Sequence, residues 1–151
     1  MRKISVFNFL TLNGFYKGLN EDISWHKHGG SENEYAEEGA QSEIILLFGR
    51  KTYEMMASYW PTPMALEQNK KVAEGMNRSE KIVFSTTLQN AAWANTRIIS
   101  QNSMEDVAAL KNSPGKDMTV LGSGCLVTQL TDAGLIDEYQ FMIDPVALGE
   151  G

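Results

Sequence analysis

Residues 44–52 read IILLFGRKT, an apolar run that ends in glycine and continues into two basic residues and a threonine. The apolar run predicts a buried strand, and the polar residues after Gly49 predict the start of a helix. The first backbone N–H groups of a helix have no partner inside it and carry a partial positive charge, so such a turn suits a phosphate. Arg50 adds a planar fork, Lys51 a point charge, and Thr52 either a helix cap or a bond to a phosphate oxygen.

A second strand-to-helix turn has the same character. Residues 118–124 read MTVLGSG, in which a short apolar strand leads into Gly122-Ser123-Gly124. The pattern is not the dinucleotide-binding fingerprint, because no third glycine follows at the required spacing. It is still a nest-like turn that can present N–H groups to a diphosphate. The alternative is a tight turn in which Ser123 caps the helix.

A third strand ends in hydroxyl groups. Residues 81–87 read KIVFSTT, and Ser85 and Thr86 follow the apolar part directly. Ligands of open α/β sheets bind beyond the carboxyl ends of the strands. Each motif alone is explained as an ordinary helix start or strand-end cap. Together the three strand ends predict one rim, and the two glycine turns favour a ligand with more than one phosphate.

Apolar runs and polar helical stretches alternate along nearly the whole chain, which predicts an α/β fold. We expect a single domain over residues 1–151, with three α/β/α layers and a central, mostly parallel twisted sheet. Strands are predicted at residues 3–10, 43–48, 81–85, 96–99, 117–121 and 138–143. Helices are predicted at residues 31–41, 51–59, 64–75, 103–111 and 124–133.

The segment of residues 13–30 differs from the rest of the chain. Glycines recur in it, and the aromatic residues Phe15, Tyr16 and Trp25 lie between them. A loop of this length inside a compact domain is commonly functional or mobile. We therefore predict a lid over a ligand, and the alternative is a surface loop that its aromatic side chains anchor.

The composition argues against several classes of function. A net charge of −6 speaks against a nucleic-acid surface, which needs clustered lysine and arginine. No stretch approaches the roughly 20 apolar residues of a membrane helix, so no membrane partner is expected. The one cysteine, Cys125, has no partner for an internal disulfide and predicts a reducing, cytoplasmic setting. We expect Cys125 to be half-buried in a helix.

Metal and acid–base sites are only weakly indicated. His26 and His28 lie two residues apart with no third ligand at a recognisable spacing, so no metal is expected and both are predicted to be solvated. Four glutamates between residues 32 and 38 follow a helical spacing and predict a solvated face. From that face Glu34 or Glu38 could turn toward the cleft.

These motifs together resemble the dihydrofolate-reductase-like superfamily, and in particular the group similar to the C-terminal reductase domain of the bifunctional riboflavin-biosynthesis deaminase-reductase. The resemblance covers essentially the whole chain. It is carried by six segments in the same order, namely Leu12-Asn13-Gly14, Leu47 to Tyr53, Tyr59-Trp60-Pro61, Lys81 to Thr86, Leu121 to Gly124, and Leu135 to Glu138 with the strand that ends at Asp144-Pro145.

The resemblance implies a cofactor and its contacts. In that superfamily the matching positions hold NADPH, and Arg50 favours a phosphate over a bare ribose hydroxyl, which implies NADPH rather than NADH. The implied contacts are Gly49, Arg50, Lys51 and Thr52 for the adenosine 2′-phosphate and part of the diphosphate, Ser85 and Thr86 for the adenosine end, Gly122, Ser123 and Gly124 for the diphosphate, and Phe9, Phe15 and Tyr16 for the nicotinamide.

The implied activity is that of an NADPH-dependent reductase similar to 5-amino-6-(5-phosphoribosylamino)uracil reductase, with hydride transfer to a small heterocyclic or carbonyl substrate. The riboflavin-type reductases commonly have Leu-Asp-Gly where this chain has Asn13 between Leu12 and Gly14. The candidate catalytic residues are Glu34, Tyr16 and Asn13. The alternative is a non-catalytic nucleotide-binding or regulatory module on the same fold.

The sequence also predicts a homodimer. It ends at Gly151, where the family usually continues into a final pair of strands, so we expect the last hairpin to be missing or cut short. A sheet edge left bare in this way needs covering, and dimerisation is one route.

Overall fold

A computed structural model describes residues 1–26, 31–100 and 103–151, without the side chains of residues 31–33 and 103. The strands in these ranges are β1 (Ile4–Thr11), β2 (Ile45–Gly49), β3 (Lys81–Phe84), β4 (Thr96–Ile99), β5 (Met118–Leu121) and β6 (Glu138–Asp144). The helices are α1 (Ser31–Gln41), α2 (Arg50–Tyr59), α3 (Pro63–Gln68), α4 (Lys70–Arg78), α5 (Ser103–Asn112) and α6 (Gly124–Asp132). None of these helices has the length and apolar character needed to cross a membrane.

The strands form one sheet in the order β4-β3-β2-β5-β1-β6. Every pairing between described strands is parallel, which confirms the predicted α/β fold. Because all strands run in one direction, their carboxyl ends lie along one edge of the sheet, which we call the C-terminal rim. β3, β2 and β5 are consecutive in this order, so the three motifs singled out in the sequence follow neighbouring strands.

Side chains alternate between the two faces of the sheet and build a core on each face. One core joins the sheet to α5 and α6 through residues such as Val107 and Leu126. The other joins the opposite face to α2 and α4 through residues such as Tyr53 and Met76. Each fully buried apolar side chain contributes about 1.5–3 kcal/mol of transfer free energy, so the sheet is stabilised from both sides. The predicted three-layer arrangement is confirmed.

Between β2 and β5 the covering helix changes from one face of the sheet to the other. β2 and β5 are paired neighbours, yet α2 lies on the face of the second core and α6 on the face of the first. Neighbouring parallel strands whose helices lie on opposite faces form a topological switch point. Such a point opens a crevice at the carboxyl ends of the strands, where ligands of α/β proteins bind.

The predicted single helix over residues 64–75 is wrong, because two helices take its place. α3 begins after Thr62, whose hydroxyl accepts a hydrogen bond from the N–H of Ala65 at 3.3 Å. Asn69 then leaves the helical region, with φ −142° and ψ 63°, and α4 begins directly after it. Asparagine has a poor helix propensity, since its short polar side chain competes for backbone hydrogen bonds. The apolar spacing alone does not reveal that break.

Candidate functional site

The turns after β2 and β5 are joined to each other by side-chain bonds. The backbone N–H of Gly49 donates to the hydroxyl of Ser123 at 2.7 Å. The backbone N–H of Ser123 donates to the hydroxyl of Thr52 at 3.1 Å. The two glycine turns therefore form one continuous surface at the switch point, between the starts of α2 and α6.

The second turn needs an unusual backbone. Gly122 and Ser123 both have left-handed dihedrals, with φ of 60° and 55°. A Cβ atom on Gly122 would come within 3.0 Å of a methyl carbon of Thr52, so glycine is required for both conformation and space. Ser123 precedes α6, but its side chain makes no capping bond to that helix. The expected helix-cap role is thus replaced by the bond to Gly49.

The starts of α2 and α6 are suited to an anion. Neither N-terminus has a side-chain capping bond, and neither first turn contains an acidic residue. The first N–H groups of both helices therefore keep their partial positive charge at the rim. Two such helix starts beside one another can bind two linked phosphate groups.

Basic side chains surround this surface. Arg50 and Lys51 lie in the first turn of α2, and their side chains are 41% and 71% exposed. Arg50 pairs with Glu54 at 3.0 Å along the same helix. Lys51 pairs with Glu21, which comes from the loop after β1, at 3.4 Å between Nζ and Oε1. The two cations predicted from the sequence therefore lie at the rim.

A third cation, Lys17, was not predicted. Its Nζ lies 2.6 Å from Oε1 of Glu21. The hydrogen bond from Lys17 lowers the pKa of Glu21, and the same bond raises the pKa of Lys17. Both groups are therefore charged at neutral pH. No spacing in the sequence connects Lys17 with Lys51, because the loop alone brings them together.

The hydroxyl-rich end of β3 lies beside the first glycine turn. Phe84 is the register partner of Gly49, so Ser85 begins the neighbouring loop. The Ser85 hydroxyl accepts hydrogen bonds from the N–H groups of Thr87 and Leu88, at 3.2 and 3.0 Å. Ser85 thus closes a local turn, which is the strand-end cap given above as the alternative role. Thr86 is exposed at the rim.

Asn13 holds two loops together. Its amide N–H donates to the carbonyl of Leu148 at 2.7 Å, and its amide oxygen accepts from the N–H of Leu148 at 3.1 Å. The Thr11 hydroxyl donates to the same amide oxygen at 2.8 Å. Asn13 therefore connects the end of β1 with the segment after β6, which is a structural role.

The aromatic residues of the loop lie at two different places. The N–H of Phe15 donates to the Thr11 hydroxyl at 2.9 Å, and its ring lies beside Gly151. The Tyr16 hydroxyl instead lies against Gly124, at the start of α6. Tyr16 is thus at the predicted diphosphate position. Residues 27–30 of the predicted lid lie outside the described residues.

The side chain of His26 is largely buried, so its predicted solvation is wrong; His28 lies outside the described residues. The His26 side chain is 7% exposed, and its Nδ1 lies 2.9 Å from Oδ2 of Asp144, which is 12% exposed. The imidazole also packs on the Phe9 ring, with centroids 3.9 Å apart. Asp144 ends β6 next to Thr11 in register, so the loop after β1 folds back to bring His26 to the end of β6. No local sequence signal joins the two residues.

The helix that carries Glu34 does not direct it to the sheet. Glu34 is exposed. Its neighbour Tyr35 stacks on Phe7, with ring centroids 5.3 Å apart, and donates a hydrogen bond to Gln140. Of the three candidate catalytic residues, the structure therefore brings only Tyr16 to the glycine turns.

Cys125 is exposed in the first turn of α6, so its predicted half-burial is wrong. The helix faces the first core through Leu126, one residue later. Among the described residues, no group of three or more His, Cys, Asp or Glu could hold a metal ion.

Three comparisons place the chain among known proteins. The family model described as RibD C-terminal domain matches residues 2–151. The "Uncharacterized protein YyaP" of Bacillus subtilis (strain 168) is 33% identical over 150 residues, which are 99% of this chain and 78% of that protein. A crystal structure of a "Putative riboflavin biosynthesis protein" from Shewanella sp. PV-4 aligns with a TM-score of 0.69 and 19% identity, over 99% of this chain and 80% of its own. That structural likeness supports the α/β fold.

Proposed function

The chain belongs to the RibD C-terminal domain family, and we propose that it is an NADPH-dependent reductase of the riboflavin-biosynthesis reductase type. It would transfer hydride from the nicotinamide to a small heterocyclic or carbonyl substrate. The observation that carries this proposal is the joining of two glycine turns at the switch point through Ser123. A dinucleotide has two linked phosphates, and this surface offers two adjacent helix starts.

The diphosphate would lie across the starts of α2 and α6. The N–H groups of Gly49 and Ser123 already have partners inside the protein, so the donors would come from the first turns of the helices. The Tyr16 hydroxyl already fills the space beside Gly124, so the phosphate would meet the N–H groups of the first turn of α6, and Lys51 would neutralise charge at α2. An acidic protein can bind an anion here because Lys17, Arg50 and Lys51 lie together at this rim.

Arg50 would distinguish NADPH from NADH. Its guanidinium is exposed at the start of α2, and its partner Glu54 lies on the same helix. A guanidinium binds a phosphate monoester through two parallel hydrogen bonds, which a ribose hydroxyl does not match. The adenosine 2′-phosphate would therefore lie at Arg50, with the adenosine toward Thr86 at the end of β3.

The nicotinamide would lie near Phe9, at the carboxyl end of β1. Of the described residues, His26 packs on Phe9 and pairs with Asp144, whereas Glu34 is exposed on α1. His26, oriented by Asp144, therefore joins Glu34 and Tyr16 as a candidate for supplying the substrate proton. A histidine that a carboxylate orients is a common proton-transfer group.

Two measurements test the proposal. NADPH at 100 times its dissociation constant should raise the free energy of unfolding by about 2.7 kcal/mol. NADPH should also protect the single exposed thiol, Cys125, from alkylation, because that residue lies in the first turn of α6. Oxidation of NADPH is then followed with a panel of pteridine, pyrimidine and quinone substrates. Absence of both stabilisation and protection would contradict the proposal.

A second candidate is a non-catalytic nucleotide-binding or regulatory module. The observation that favours it is Asn13, whose amide is engaged by Leu148 and Thr11 and offers no carboxylate. Binding of NADPH without oxidation across the whole substrate panel would favour this second function.

A further inference from the structure

The carboxylate of Glu21 lies between two lysines that come from different parts of the chain. Its Oε1 is 2.6 Å from Nζ of Lys17 and 3.4 Å from Nζ of Lys51. Lys51 belongs to the first turn of α2. Tyr16, next to Lys17, contacts Gly124 at the start of α6. The loop after β1 thus places an acidic group of the protein at the surface formed by the two glycine turns.

We propose that Glu21 is an internal substitute for a phosphate, and that Lys17 is a third cation of the cofactor site. Ammonium groups bind carboxylate and phosphate oxygens through the same charge-assisted hydrogen bonds. In the free protein Glu21 keeps Lys17 and Lys51 together. When a diphosphate binds, both lysines turn to it and Glu21 moves into solvent. This inference rests on the proposed function, because it requires a phosphorylated ligand at these turns.

The backbone of this loop is held in an unfavourable conformation. Asn20 and Glu21 both have left-handed dihedrals, with φ of 56° and 64°, which side chains larger than glycine adopt only at a cost. The N–H of Gly18 donates to the carbonyl of Asp22 at 2.7 Å and closes the loop around them. Release of Glu21 from the lysines on binding would let this strained segment relax.

The ion pairs are weak enough for a ligand to displace them. The side chain of Glu21 is 54% exposed and that of Lys51 is 71% exposed. Exposed pairs of this kind contribute little, because water and salt screen them. A diphosphate carries more negative charge than one carboxylate, and it also meets the helix starts. Glu21 should therefore compete with the ligand and lower its apparent affinity modestly.

The variant Glu21→Gln removes the internal competitor and keeps the size of the side chain. We expect it to bind NADPH and inorganic pyrophosphate about two- to fivefold more tightly than the unmodified protein. Lys17→Gln should weaken the binding of both ligands by about the same factor. The matched control is Glu138→Gln, which removes an equal charge and a 3.4 Å pair with Lys3. Glu138 is the first residue of β6 and so lies at the amino ends of the strands, opposite the C-terminal rim.

Titration calorimetry of the full chain distinguishes the outcomes. Tighter binding by Glu21→Gln alone, with weaker binding by Lys17→Gln, supports the inference. Equal affinities for Glu21→Gln and the unmodified protein overturn it and leave the proposed function standing. An equal gain for Glu21→Gln and Glu138→Gln also overturns it, because net charge would then explain the effect. If no form of the protein binds NADPH, the proposed function fails and the inference fails with it.

Discussion

The backbone N–H of Gly49 donates a hydrogen bond to the hydroxyl of Ser123 over 2.7 Å, and the two residues are 74 positions apart in the sequence. Gly49 ends β2 and Ser123 follows β5, and the helices after these neighbouring strands lie on opposite faces of the sheet. This bond therefore spans the switch point and fixes the separation of the two helix starts. A ligand that contacts both helices depends on that separation, although Ser123 need not touch it.

Replacing Ser123 with alanine should weaken both folding and binding. The N–H of Gly49 is partly buried and would lose its acceptor, which lowers the free energy of unfolding by about 1 kcal/mol. Binding of NADPH should weaken as well, because one of the two bonds that hold the helix starts together is lost. Urea unfolding and NADPH titration measure the two effects. Ser58→Ala is the control, since within the described part of the chain that hydroxyl bonds to the carbonyl of Met55 alone. Unchanged stability of Ser123→Ala would contradict the expectation.

Replacing Arg50 with alanine should change the preference between nucleotides. If Arg50 binds the 2′-phosphate, its loss should weaken the binding of NADPH by about 1.5–3 kcal/mol more than the binding of NADH. Competition titrations with the two nucleotides measure the difference. Arg78→Ala is a matched control, because Arg78 ends α4 and donates to the carbonyl of Ala40 away from the rim. Equal losses of affinity for the two nucleotides in Arg50→Ala would show that Arg50 does not bind the 2′-phosphate.

The strand-to-helix turns were predictable because their signals are local. A run such as residues 44–48 is too apolar for anything except a buried element, and Gly49 ends it within the same short window. Because the carboxyl ends of parallel strands lie on one rim, the motifs after β2, β3 and β5 are expected to lie together. The order of the strands was not predicted in detail, yet the grouping of those three ends followed from this geometry alone.

The contacts of the loop after β1 were not predictable from spacing. His26 and Asp144 are 118 positions apart, and they meet because β1 pairs with β6 and the loop after β1 folds back over the end of β6. Asn13 and Leu148 are 135 positions apart and meet for the same reason. A sequence pattern reports periodicity within an element, whereas these pairs depend on which strands become neighbours. That is why His26 was expected in solvent and is buried.

The homodimer expected from the sequence stays a prediction, and β6 offers a way to test it. β6 lies at an edge of the sheet, and Tyr139, Phe141 and Ile143 are 43%, 47% and 54% exposed on one of its faces. If a second copy pairs along β6, Phe141→Lys should give a monomer, because a charge in that contact is costly to bury. Light scattering after size exclusion measures the mass. Met64→Lys on α3 is the control, and a monomeric unmodified protein would make the prediction wrong.

Lys81 is a buried cation near the start of β3. The residue is fully buried, and its Nζ donates to the carbonyls of Asn77, Ser79 and Ala94, at 3.2, 2.7 and 2.9 Å. The ammonium also lies 4.4 Å from the ring centroid of Trp93. In the part of the chain that the structure describes, no carboxylate forms an ion pair with it. Burial lowers the pKa of Lys81 to about 8.

This lowered pKa predicts a rise in stability with pH. Below pH 8 both the folded and the unfolded chain keep the proton, so Lys81 adds no pH dependence. Between pH 8 and the ordinary pKa of 10.5 the folded lysine is neutral while the unfolded one still binds its proton. The free energy of unfolding then rises with pH, by at most about 3 kcal/mol, because the cost of burying the charge disappears. Lys81→Met and Lys81→Arg do not titrate in this window. Urea unfolding at several pH values should show the unmodified protein gaining stability relative to both variants, and a constant difference would mean that Lys81 keeps its ordinary pKa.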